Sequence, residues 1–141
     1  AWLLVADVGD NDAKRGTVRL HLLAEPNPHT LRPTAALTVQ PEYTLRVRYE
    51  DGPRDAETLL VAPADAEEPG VVRVVTKEAD GEAKVYRVDA LSCTGTPDTL
   101  TRETELQLDG AATGGAMTAT AAVIRVRRRA ESNSSERKFC R

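Results

Sequence analysis

Apolar and polar residues alternate along most of this chain. Thr17-Val18-Arg19-Leu20-His21-Leu22-Leu23 sets Val18, Leu20 and Leu22 on one side and polar neighbours between them. Tyr43–Tyr49, Lys84–Val88, Glu103–Leu108 and Val123–Arg127 follow the same rule. Successive side chains of a strand point to opposite faces, so each run predicts a half-buried antiparallel strand. Trp2–Ala6, Leu59–Ala62 and Val71–Val75 are more uniformly apolar, with β-branched residues frequent among them. They predict strands nearer the centre of a sheet. No window carries a helical stripe. The pattern predicts an all-β chain of about eight short strands.

Turn chemistry separates the runs. Gly9-Asp10-Asn11, Asp51-Gly52-Pro53, Pro69-Gly70, Asp80-Gly81, Asp109-Gly110 and Gly114-Gly115 supply the residues that tolerate positive φ or pre-set a turn. Pro26, Pro28 and Pro33 in the stretch between Glu25 and Thr34 exclude both a helix and a central strand.

The strands also recur in order. Trp2–Asp7, Val18–Leu23 and Tyr43–Tyr49 form one set, and Val71–Lys77, Lys84–Asp89 and Glu103–Leu108 a second. Asp55–Val61 would open the second unit, and Ala112–Met117 sits where the next opening strand is expected. Units of four antiparallel strands are the sequence form of a β-propeller blade. The expectation is therefore about two antiparallel blades over residues 1–110, then the start of a further blade and a basic, disordered tail over 111–141. A propeller needs at least four blades of roughly 40–45 residues, so the chain reads as a piece of a larger ring. A β-sandwich built from the same strands is the alternative.

Composition changes this picture in two places. Aromatics make up 4 %, so the core must rest on Val, Leu and Ala, with Trp2, Tyr43, Tyr49 and Tyr86 as its few large anchors. The net charge of −3 divides unevenly: residues 1–124 hold 12 Lys/Arg against 20 Asp/Glu, and residues 125–141 hold 7 against 2. An acidic body repels nucleic acid, which argues against a DNA or RNA partner. No apolar run approaches the ~20 residues of a membrane span. Cys93 and Cys140 sit in no metal-ligand pattern, and either a disulfide between them or two separate thiols is compatible with the sequence.

Several motifs resemble a known group in order along the chain. V-A-D-V-G-D-N-D-A-K-R and V-R-L-H-L-L-A-E-P within Trp2–Pro26, R-Y-E-D-G-P-R-D-A-E-T-L-L-V-A-P at Arg48–Pro63, V-V-T-K-E at Val74–Glu78 and K-V-Y-R-V at Lys84–Val88 are similar to actinobacterial β-propeller proteins of unassigned activity. D-A-E-T-L more loosely resembles the N-A-E-G-L strand of esterase-like phytase propellers. The resemblance covers roughly Trp2 to Asp89. After Gly115 the text departs from it, with Arg127–Arg129 and E-S-N-S-S-E-R-K-F-C-R, and has the look of a truncated or frame-shifted end. It implies a bacterial, extracytoplasmic or secreted binding scaffold whose remaining blades lie outside this chain. The alternative is a calcium-assisted hydrolase of phosphoesters or lactones.

Candidate chemistry concentrates at the expected rim. Asp55 and Glu57 open a blade strand, where carboxylates can reach a central channel. With Asp10 they are the candidate ligands for Ca²⁺, a cation that takes six to eight oxygens. The bland reading of Glu57 is a carboxylate held by neighbouring backbone N–H groups. Asp7, Gly9 and Asn11 fit a structural turn better than an ion loop, because the EF-hand spacing is missing and Arg15 can pair with one of the aspartates. By the repeat, Lys77 stands at the same rim as Asp7. It is a candidate contact for an anionic substrate group, or else an ion-pair partner of Glu57 or Asp55. His21 and His29 have no partner at metal-ligand spacing, and no G-x-S-x-G marks a serine nucleophile, so the catalytic residues stay unknown.

Overall fold

The alternating runs become eight strands: β1 (Trp2–Asp7), β2 (Val18–Ala24), β3 (Tyr43–Tyr49), β4 (Ala56–Val61), β5 (Val72–Thr76), β6 (Glu82–Val88), β7 (Asp98–Gln107) and β8 (Val123–Val126). The structure is a computed structural model that describes residues 2–27, 29, 36, 38–62, 66–68, 70–78, 82–89, 91–92, 94–107 and 123–126. Cys93, Cys140, the Ala112–Met117 stretch and the Arg127–Arg129 run lie outside the described residues.

These eight strands belong to one sheet, in the order β4-β5-β6-β7-β3-β2-β1-β8. β1–β6 and the second half of β7 follow the expected runs within residues 1–110, and β8 pairs with the other edge of β1. Among the described residues every pairing is antiparallel except one: Val47, Arg48 and Tyr49 of β3 run parallel to Asp98, Thr99 and Leu100 of β7. The two edge strands, β4 and β8, lie near each other, so the sheet curls almost into a closed barrel. The all-β expectation therefore holds. β4 to β7 do form an antiparallel run of four consecutive strands beginning at Ala56. That run does not stand apart as a blade, because β7 is hydrogen-bonded edge to edge with β3. A sandwich would need two sheets, and these strands form one.

The inner face of the curl is the core. Leu4 and Ala6 of β1, Leu20 of β2, Val47 of β3, Val74 of β5, Tyr86 of β6 and Leu100 of β7 are wholly excluded from water. They belong to one continuous apolar cluster with Leu45, Val72, Ala56 and Leu59. Most of these residues stand two apart on their strands, as the sequence pattern requires. Two irregularities break the period. Glu57 is an extra residue between Ala56 and Thr58, which pair with Thr76 and Val75, so Ala56 and Leu59 both turn inward. A second register shift between Val85 and Tyr86 lets both of these consecutive residues be buried.

The antiparallel order gathers the chain connections into two sets. The β1–β2, β3–β4 and β5–β6 connections lie at one end of the barrel, hereafter the upper rim. Asp7 and Lys77, which the repeat had placed at one rim, are both there. Among the described residues no helix is long and apolar enough to cross a membrane.

Candidate functional site

Three short segments with little regular structure meet at the upper rim, and polar side chains replace the ladder that strands would otherwise supply. The first runs from Val8 to Thr17, between β1 and β2. Asp10 organises it and is itself 8 % exposed. Its carbonyl accepts the Ala13 N–H at 2.7 Å, and its carboxylate accepts the Arg15 N–H at 2.6 Å. Ala13 takes φ 49°, a left-handed conformation that costs an alanine roughly 1–2 kcal/mol and that these bonds hold in place. Arg15 then folds back over the loop. Its two terminal nitrogens fork onto the Asp7 carboxylate, each at 2.8 Å, and Nη1 also donates to the Gly9 carbonyl at 2.9 Å. Asp7, Gly9 and Asp10 are thus used in building the turn, with Asn11 at its exposed tip.

The second segment, Glu50 to Asp55, crosses the rim from β3 to β4. The Asp51 carboxylate accepts the Tyr86 hydroxyl at 2.8 and 2.9 Å and pairs with Arg54 at 3.0 Å. Arg54 also approaches Glu78 at 3.6 Å, and Glu78 in turn lies 3.8 Å from Lys84 and accepts the Thr76 hydroxyl at 3.0 Å. The third segment begins at Lys77, whose backbone N–H donates to the Asp55 carbonyl at 2.9 Å. Asp55 is the joint of all three: its Oδ1 accepts the Asp10 N–H at 2.7 Å.

Between the segments lies an open cleft of about 300 Å³, lined by Asn11, Pro53, Arg54, Asp55, Lys77 and Glu78 among others. Two of the sequence candidates, Asp55 and Lys77, line it, and Asp10 is bonded directly to Asp55. Glu57 stands beside it, its Oε1 3.9 Å from the Lys77 Nζ. Its Oε2 is buried, with no hydrogen-bond partner among the described residues. The bulge aims this side chain out of the regular strand alternation.

The donor set does not make a calcium shell by itself. Among the described residues no three His, Cys, Asp or Glu side chains gather around one point. One oxygen each of Asp10 and Asp55 is already occupied by a backbone N–H. His21 faces Thr44, with its Nδ1 3.1 Å from the hydroxyl.

Charge and burial tune several of these groups. Hydrogen bonding from Arg15 outweighs partial burial and holds the Asp7 carboxyl below the usual carboxylate range. Burial pushes Asp51 upward, but the hydrogen bonds from Tyr86 and Arg54 outweigh it and its carboxyl also lies low. Burial raises both Tyr49 and Tyr86 well above an ordinary phenol; the Asp51 carboxylate adds to the effect at Tyr86. The sign of the carboxylate shifts gives an acid-stability prediction. Both groups have a folded pKa below the unfolded value near 3.9. Their contribution is complete above that value and is lost as pH falls through the lower folded pKa. The urea midpoint should therefore fall between pH 5 and pH 2. Asp51→Asn should flatten the decline, and an unchanged slope in that variant would remove Asp51 from the account.

Sequence reasoning overlooked Asp51, Arg54, Glu78 and the tyrosine pair as members of this rim. Tyr49 and Tyr86 pack edge to face, centroids 4.8 Å apart. The signal available was the D-G-P-R turn, whose Asp and Arg stand three apart and pair across it. Compared with protein-family models, with curated proteins and with solved structures, the chain matches none.

Proposed function

We propose that this chain is part of a bacterial β-propeller and acts as a binding scaffold, taking a small polar ligand in the upper-rim cleft. The observation that carries the binding reading is the convergence of three separate connections on one cleft through the Asp55 joint. Such a cleft is near the lower end of the roughly 300–1,000 Å³ common for ligand sites. The propeller part rests on the ordered motifs from Trp2 to Asp89 and on the antiparallel run of four strands from Ala56. The actinobacterial source and the extracytoplasmic location follow only from the resemblance.

The second reading, a calcium-assisted hydrolase of phosphoesters or lactones, is favoured by one observation, the buried oxygen of Glu57 that has no partner among the described residues and lies two positions from Asp55. It needs further oxygens beyond those the described residues gather. A fragment screen of the isotope-labelled chain by amide chemical shifts tests the first reading. Polar fragments should move Asn11, Asp55, Lys77 and Glu78 together, and Lys77→Gln should weaken those that carry an anion. Shifts scattered over the outer sheet face, with the rim silent, would refute it. A rise in melting temperature with Ca²⁺, accompanied by hydrolysis of a phosphomonoester or lactone, would favour the second.

A further inference from the structure

The cleft has a particular distribution of unspent charge. Arg54 is committed to Asp51 and Glu78, and Glu78 to Arg54, Lys84 and Thr76. Lys77 is held more loosely: among the described residues its ammonium meets Glu57 at 3.9 Å, an ion pair beyond hydrogen-bond reach, and its side chain is 41 % exposed. Asp55 spends one oxygen on the Asp10 N–H, and among the described residues its other oxygen accepts nothing. Lys77 and Asp55 carry opposite charges in one cleft, and their backbones are joined at 2.9 Å. Yet among the described residues their charged ends form no ion pair within 4.0 Å. The Asn11 amide, able to donate or accept, lines the same cleft.

We infer that the cleft takes a small zwitterion, with a carboxylate on Lys77 and an ammonium group on the free oxygen of Asp55. This rests on the binding reading above and adds the ligand class to it. A purely anionic ligand would meet Asp55 and Glu78 in the wall, and a purely cationic one would meet Lys77 and Arg54. A molecule with both charges uses the exposed ammonium of Lys77 and the open oxygen of Asp55 and turns neither against it. At about 300 Å³ the cleft is too small for a large apolar ligand, and five of the seven residues that line it are polar or charged.

The probes are glycine, β-alanine and γ-aminobutyrate, which differ in charge separation, with butyrate and butylamine as singly charged controls. Amide shifts of the isotope-labelled full chain are followed in titration. At least one zwitterion should bind about tenfold or more tighter than both controls, the scale of one well-placed charge contact. Lys77→Gln should then bind it no better than butylamine, and Asp55→Asn no better than butyrate. Lys77 is exposed, so its variant keeps the fold. In Asp55→Asn the new side-chain amide oxygen can still accept the Asp10 N–H. Equal binding of butyrate or butylamine would overturn the zwitterion inference and leave the binding reading standing. So would a cleft that answers other polar fragments and none of these five probes. A rim silent to every fragment would overturn both.

Discussion

Tyr86→Phe will destabilise the protein, and Tyr49→Phe will not. The two rings touch edge to face and belong to the same core, and each substitution deletes one phenolic oxygen. The hydroxyls differ in what they meet. Tyr86 donates to the Asp51 carboxylate, which is also held by Arg54. Hydrogen bonds to a charged acceptor contribute about 1.5–3 kcal/mol, and Asp51 would be left with one partner fewer. The Tyr49 oxygen is buried and has no partner among the described residues. An unpaired buried hydroxyl already carries its desolvation cost, about 1–3 kcal/mol, so replacing it with C–H removes a penalty. The expected urea-unfolding result is a loss of about 2 kcal/mol for Tyr86→Phe and no loss, or a small gain, for Tyr49→Phe. Equal losses would mean that Tyr49 has a partner, such as an ordered water in the rim. Asp51→Ala in the Tyr86→Phe background would apportion the coupling between them, since contacting residues do not add.

The strands were legible because each buries one face, and the period of two survives in Val18, Leu20 and Leu22 or in Leu45 and Val47 whatever the tertiary partner. That Arg15 pairs with one of the nearby aspartates was legible too, being local, and so was an ion pair of Lys77 with Glu57 or Asp55; the structure makes the partners Asp7 and Glu57. What the sequence concealed is non-local. Asp98-Thr99-Leu100-Thr101-Arg102 holds one apolar residue among polar ones, so it gave no strand signal. It extends β7 nonetheless, because Leu100 fills the core and its carbonyl accepts the Glu50 N–H at 3.1 Å. The Glu50 carboxylate accepts the Arg102 N–H at 2.8 Å, adding a side-chain bond beside the same ladder. The bulges at Glu57 and beside Tyr86 were equally hidden, since an extra residue leaves no mark on the alternation until the partner strand is known. The sequence makes Asp55 a candidate metal ligand, but its position at the joint of three loops depends on those same long-range pairings.

Leu100→Ala tests that hidden pairing with the largest single effect expected in the core. Leu100 is wholly buried, and it sits where the short parallel ladder joins the β1–β3 strands to the β4–β7 strands. Truncating a buried Leu to Ala costs about 2–5 kcal/mol, the lost transfer energy plus the cavity left behind. In a chain of this size that corresponds to a fall in melting temperature on the order of 10 °C. The shape of the transition carries as much information as its midpoint. Leu4, Leu20 and Val47 share one apolar cluster with Val74, Tyr86 and Leu100, so the two groups of strands have no separate cores to unfold into. The thermal transition should move as a single step, seen alike by far-ultraviolet circular dichroism and by Trp2 fluorescence from the other side of the sheet. If instead the dichroism splits into two steps while Trp2 reports only the upper one, the β4–β7 strands unfold alone. The parallel ladder would then be a contact between two independent units, the behaviour expected of separable blades and not of one closed sheet.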